Sequence, residues 1–139
     1  LNTVARAVGY AWRWPVAGVL PMIETHCHCR RIGVDIPRLP ESITSCNCSL
    51  CYRIGALWGY YTLDEVNIRF DGEVLKYLWG DRSMTIYSCA HCGSTTHYVA
   101  VGEAPDVRVG VNLRMAPREL VEAVPVRHFD GAETWEFLD

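Results

Sequence analysis

The sequence predicts a mainly β fold with long loops, and three observations carry that prediction. Short runs rich in aromatic and β-branched residues recur along the chain, glycine and aspartate punctuate them, and only one segment has the makings of a helix. With 139 residues, about half of them apolar, the chain can bury one substantial core but is short for two. It contains no repeat, low-complexity tract or linker, so residues 22–139 are expected to form one domain.

The elements follow in order. Residues 1–21 carry Arg6 and Arg13, no acidic side chain, and an apolar stretch broken by Arg13 and Pro15. That break spoils a secretory core, so the segment reads as an N-terminal extension outside the fold, with Met22 as an alternative start. Residues 25–36 read as one extended stretch ended by Pro37 and Pro40. Strand periodicity there puts Cys27 and Cys29 on one side and His26 and His28 on the other. Residues 42–47 read as polar loop, and Cys48-Ser49-Leu50-Cys51 as a tight turn or one helical turn. Further strands are expected over 56–62, 66–70 and 84–88, separated by Gly72, Gly80 and Asp81, and then over 95–101 and 107–111. The one helix falls at 118–123, between Pro117 and Pro125.

Thirteen basic residues against sixteen acidic ones give a net charge of −3, which offers no broad attraction to phosphate backbones or anionic membranes. No apolar run approaches the roughly 20 residues needed to cross a bilayer. Nucleic acid and membrane are therefore not expected as partners.

Seven cysteines are the strongest signal. The count is odd, and Cys27/Cys29 and Cys46/Cys48 are each separated by a single residue, too tight for comfortable local disulfides. Zinc in a reducing cytoplasm is the expectation. Cys89-Ala90-His91-Cys92-Gly93 has the shape of a zinc knuckle: two intervening residues let both thiolates meet one ion, and Gly93 suits the left-handed backbone that often follows. A knuckle supplies two ligands where a structural site wants four, and Cys27 with Cys29 can complete it. Spacing alone equally allows Cys46 and Cys48 to do so. The first pairing leaves Cys46, Cys48 and Cys51 as three ligands of an open site, unless His91, His97 or His128 closes it. Two zinc ions per chain are expected on this count, and thiolate ligation would bring the loaded chain to a charge of about −6.

The order of these clusters, Cys27-His28-Cys29, then Cys46-Asn47-Cys48-Ser49-Leu50-Cys51, then Cys89-Ala90-His91-Cys92-Gly93, resembles the glutathione-dependent formaldehyde-activating enzyme family. The resemblance runs over about residues 24–138 and includes the tail, where Val107-Arg108-Val109 precedes a proline-containing stretch and Trp135. It implies a β-tent-like zinc-binding fold. It also implies structural zinc on Cys27, Cys29, Cys89 and Cys92, and a catalytic zinc with a free position on Cys46, Cys48 and Cys51. The implied activity is that of a carbon–sulfur lyase acting on S-hydroxymethylglutathione, the adduct of glutathione and formaldehyde. Arg30 and Arg31 depart from the pattern, because family members usually carry Gly after the second cysteine of the first cluster.

Other residues give weaker signals. Arg53 follows the open cluster and could pair a substrate carboxylate through its planar guanidinium, although an ordinary surface arginine has the same appearance. His28 and His97 lie near ligands in sequence and read as supporting or solvated histidines. Trp58, Tyr60 and Tyr61 read as core before they read as pocket floor. The competing function is a noncatalytic zinc-binding module that recognises a protein partner.

Overall fold

A computed structural model describes residues 21–102 and 106–139, so the extension expected over residues 1–21 lies, Pro21 aside, outside the described residues. Among the described residues the chain is mainly β. Strands β1 (Ile23–His26), β2 (Ile32–Ile36) and β5 (Asn67–Phe70) form a small sheet in the order β1-β2-β5. A larger sheet is built from β3 (Ile43–Cys46), β4 (Trp58–Thr62), β6 (Val74–Leu78), β7 (Met84–Cys89), β8 (Thr95–Ala100), β9 (Arg108–Asn112) and β10 (Val126–Phe129). Its order is β10-β3-β4-β9-β8-β7-β6, with every pairing antiparallel except β10 against β3. Helix α1 (Ser49–Ile54) follows β3; a 3-10 turn (Leu113–Met115) and helix α2 (Arg118–Val121) follow β9.

Several expected elements differ. The stretch 25–36 is not one strand but the hairpin β1–β2, paired from Ile23↔Ile36 to His26↔Gly33. Backbone bonds from Cys27 N to Ile32 O (2.8 Å) and from Arg30 N to Cys27 O (3.0 Å) reverse the chain, so Cys27 and Cys29 sit in the turn and the alternating facing with His26 and His28 does not occur. Arg30 takes φ +68 there, in the region where glycine carries no Cβ penalty. The polar loop expected at 42–47 contains β3. Its ladder comes mainly from β10, far along the chain, and local composition carries no trace of such a partner. Strand β6 was masked in the same way: its residues are mostly exposed, with no buried face to impose a period-two pattern.

Alternation assigns the two faces of the large sheet different tasks. Ile43, Tyr61, Val109 and Val111 point inward and pack with Val34, Ile36 and Leu113, which buries the interior between the sheets. On the opposite face Trp58, Ile86 and Tyr98 pack with Ala56 beneath Leu50, Cys51 and Ile54 of α1. The register places Tyr98, Gly110 and Tyr60 in one row across β8, β9 and β4. A Cβ on Gly110 would lie 2.1 Å from a ring carbon of Tyr98, so only glycine lets that ring lie across β9.

His97 belongs to the inner face and is fully buried. Its ring stacks on Tyr87 at 4.6 Å, and Nδ1 bonds Thr96 Oγ1 at 2.8 Å. Nε2 has no hydrogen-bond partner among the described residues. Burial holds this imidazole down to about 4 from its usual 6.5. The folded state therefore resists a proton that the unfolded chain accepts, and the stability it confers is full above pH 6.5 and lost as pH falls through about 4. His97→Phe, which keeps a flat ring and removes the titration, should make the loss of stability across that window shallower. Urea midpoints measured on both proteins at a series of pH values would show it; parallel curves would contradict it.

Candidate metal centres

Two turns, one from each sheet, bring four thiols together. Cys27 and Cys29 come from the β1–β2 turn, Cys89 ends β7, and Cys92 lies in the turn to β8, where Gly93 takes φ +78 and donates its N–H to Cys89 O at 2.9 Å. All four sulfurs lie within 4.8 Å of one another. Cys29 Sγ is 3.6 Å from both Cys27 Sγ and Cys89 Sγ, close to the roughly 3.8 Å edge of a tetrahedron with 2.3 Å zinc–sulfur bonds. Ile32 N–H points at Cys27 Sγ from 3.3 Å. The Cys92 thiol is held down at about 5: burial pushes it up, but the hydroxyl and amide of Ser94 outweigh that by stabilising the thiolate. Cys29 moves the other way, to about 11; the Arg31 amide lowers it, but desolvation and three neighbouring thiols prevail. Four sulfurs this close cannot all ionise without a cation among them, and the donor set fits zinc.

The second group is Cys46, Cys48 and Cys51, again with all sulfurs within 4.8 Å. Cys46 closes β3, Cys48 caps the N-terminus of α1, and Cys51 stands in that helix's first turn. Each sulfur faces one N–H: Cys48 N at 3.4 Å from Cys46 Sγ, Cys51 N at 3.4 Å from Cys48 Sγ, and Trp58 Nε1 at 3.3 Å from Cys51 Sγ. Donors aimed at sulfur favour the thiolate. Burial pushes the Cys51 thiol up to about 12, against the pull of the Trp58 indole, and raises Cys46 as well. Cys48 is lowered, because the amides of Cys51 and Leu50 together with its thiol neighbours overcome its burial. Here too the fit is to a divalent cation. Among the described residues no histidine, aspartate or glutamate joins either group. His91 and His128 are exposed, and His128 bonds Asp139 at 2.8 Å.

Sequence reasoning missed what covers the three-thiol group. Asn47, between two of its cysteines, donates through Nδ2 to Asp130 Oδ1 at 2.8 Å and accepts the Ala132 N–H at 3.0 Å. Asp130 also accepts from the backbone and hydroxyl of Thr134, at 3.1 and 2.9 Å, and these bonds, that from Asn47 foremost, hold its carboxyl below the usual range. The clamp carries Gly131 against the thiols: a Cβ there would lie 2.6 Å from Cys46 Sγ. The Asp130-Gly131 dipeptide was a visible turn signal, but nothing local tied it to residue 47. Trp58, placed in the core by its pattern, also donates its indole N–H to the Cys51 sulfur.

Gly131→Ala should disturb the three-thiol group and spare the four-thiol group. Cobalt-substituted protein should then show thiolate-to-metal charge-transfer absorption reduced by about half, with a fold unchanged by circular dichroism. An unaltered spectrum would mean that the contact is not needed.

No helix among the described residues is long and apolar enough to cross a membrane. No curated protein matches the chain. A crystal structure of a Rhodobacter sphaeroides protein, solved as a structural-genomics target, superimposes with a TM-score of 0.59 at 23% identity, covering 75% of this chain and 99% of that one. It shares the fold. The sequence model described as glutathione-dependent formaldehyde-activating enzyme matches residues 22–123, which take in all seven cysteines and the strands that carry them. The chain belongs to that family.

Proposed function

We propose that this chain is a zinc-dependent carbon–sulfur lyase acting on an aldehyde–thiol adduct such as S-hydroxymethylglutathione. The observation that carries the reading is the three-thiol group: three sulfurs within 4.8 Å, each with an N–H donor, and no fourth ligand among the described residues. Structural zinc is assigned to Cys27, Cys29, Cys89 and Cys92, and the open zinc to Cys46, Cys48 and Cys51. A zinc ion in the open site would supply an electrophilic position that keeps a substrate sulfur deprotonated near neutral pH. The protein's part is to hold its own three sulfurs as thiolates through the Cys48, Cys51 and Trp58 N–H groups. Trp58 and Tyr98 meet edge to face at 5.0 Å and keep the floor beneath the site dry, where electrostatic interactions act at greater strength. In the lyase direction the adduct's carbon–sulfur bond breaks, its hydroxyl gives up a proton as the carbonyl forms, and the sulfur leaves with the bonding pair.

The reading treats residues 22–139 as one domain, in support of which β10 joins the large sheet beside β3. All seven cysteines are free, which suits a reducing cytoplasm. A second reading, a noncatalytic zinc module with a protein partner, draws on one observation: Leu75, Tyr77, Leu78 and Trp79 are exposed together along and just beyond edge strand β6.

The lyase reading predicts two zinc ions per chain by mass spectrometry, falling to one in Cys48→Ser with the fold retained. Exchange between formaldehyde and its glutathione adduct, followed by NMR, should slow by at least about 100-fold in the variant. Two zinc ions with no turnover in the parent protein would favour the binding module. Loss of both metals together with the fold would overturn the division between the two centres.

A further inference from the structure

Two pairs of cysteines in the chain are spaced by two residues, Cys48 with Cys51 and Cys89 with Cys92, and their surroundings differ. Cys89 is fully buried, and its pair is gathered with Cys27 and Cys29 into one group of four sulfurs. Cys48 and Cys51 begin a helix instead. Cys48 is the N-cap of α1, and the Cys51 N–H donates to its sulfur at 3.4 Å. Both side chains are partly open to solvent, and their sulfurs lie within 4.8 Å of each other.

The three thiols of this group are not equivalent. Cys51 turns toward the sheet: its sulfur accepts the Trp58 indole N–H at 3.3 Å, and it packs with Leu50 and Ile54 against Ala56, Trp58 and Tyr98. Cys46 lies under the tail, where a Cβ on Gly131 would come within 2.6 Å of its sulfur. That Cβ would meet Cys48 only at its Cβ, 3.2 Å away. Cys46 is also a single residue from Cys48, a span too short for an unstrained disulfide. Two residues across the first turn of a helix suit the bond better, and they leave Cys48 on the outside and Cys51 behind it.

We infer that Cys48 and Cys51 form a dithiol redox centre that reduces small organic disulfides when no metal is bound to the trio. Cys48 gives its proton to solvent, and its sulfur attacks one sulfur of the incoming disulfide. The incoming S–S bond breaks, a mixed disulfide forms on Cys48, and the first thiol leaves with the bonding pair and takes up a proton. Cys51 then attacks the Cys48 sulfur and expels the second thiol in the same way. Two protein thiols are oxidised to one disulfide, and the incoming disulfide is reduced to two thiols, so no other reactant is needed. The N–H groups already aimed at the two sulfurs favour the charged form that each step requires: that of Cys51 for Cys48, and that of Trp58 for Cys51. The chemistry goes beyond the lyase reading and does not draw on it. It uses two of the three thiols assigned there to the open zinc, so metal and disulfide exclude each other at this site.

The test uses the full chain with a chelator, its fold checked by circular dichroism, and 2-hydroxyethyl disulfide as the probe. Remaining thiols are alkylated, and peptide mass spectrometry locates every bond. A Cys48–Cys51 disulfide is expected in the parent and in Cys46→Ser, whereas Cys51→Ser should stop with the hydroxyethyl thiol attached to Cys48. Zinc added before the probe should slow the reaction by at least about tenfold. A disulfide that includes Cys46 in the parent, free thiols at both positions, or equal rates with and without zinc overturns the inference. Turnover of the aldehyde adduct by the zinc-loaded parent is a separate readout: its absence sinks the lyase reading and leaves the dithiol centre standing, and failed exchange with normal turnover does the reverse.

Discussion

Two hairpin turns from different sheets meet at four sulfurs, and the rest of the molecule takes its arrangement from that meeting. The turn between β1 and β2 has little besides Cys27, Ile32 and their neighbours to bury. Zinc held there would contribute folding energy on the order of 10 kcal/mol, comparable to the net stability of a whole domain. With the turns pinned, Val34 and Ile36 are set against Val109 and Val111, and the outer face of the large sheet is left to carry chemistry.

The two cysteine groups use the same ligand atom in different surroundings. The four-thiol group includes Cys27 and Cys89, both fully buried, and it joins segments sixty residues apart. The three-thiol group is assembled from six consecutive residues on a strand end and a helix start, all partly open to solvent. A local cluster needs little from the global fold to bring its sulfurs together, and so it can leave a side uncovered. A dispersed one exists only when the fold is complete. On the proposed reading this difference separates a fastener from a reaction centre when the donors are identical.

Much of this was legible in the sequence, and the omissions have a common cause. Spacing pointed to the knuckle and the trio as groups because bringing neighbouring sulfurs to one point is a local geometric demand. Alternation identified β4, β7, β8 and β9 because each buries one face against the core. The hairpin at 27–31 was hidden because Arg30 holds a backbone conformation that glycine would have announced. Strand β3 and the Asn47–Asp130 clamp were hidden for a different reason: each depends on a partner tens of residues away, and neither composition nor periodicity encodes such a pairing. Arg53, which the sequence offered as a partner for a substrate carboxylate, donates to Ser49 O in its own helix.

The parallel pairing of β10 with β3 has a consequence for the order of assembly. Antiparallel neighbours in the large sheet other than β4 and β9 are joined by short turns or one connecting segment, but β10 returns to β3 from eighty-three residues away, counted between Asn47 and Asp130. Closing a loop of that length removes more chain freedom than closing a hairpin does. Every residue of the four-thiol group and of the small sheet precedes Met115 in the chain, whereas the wall over the trio, from Asp130 to Thr134, follows it. Until that wall is in place the three thiols stand open on the scaffold, where an ion can enter and where oxidation would trap them.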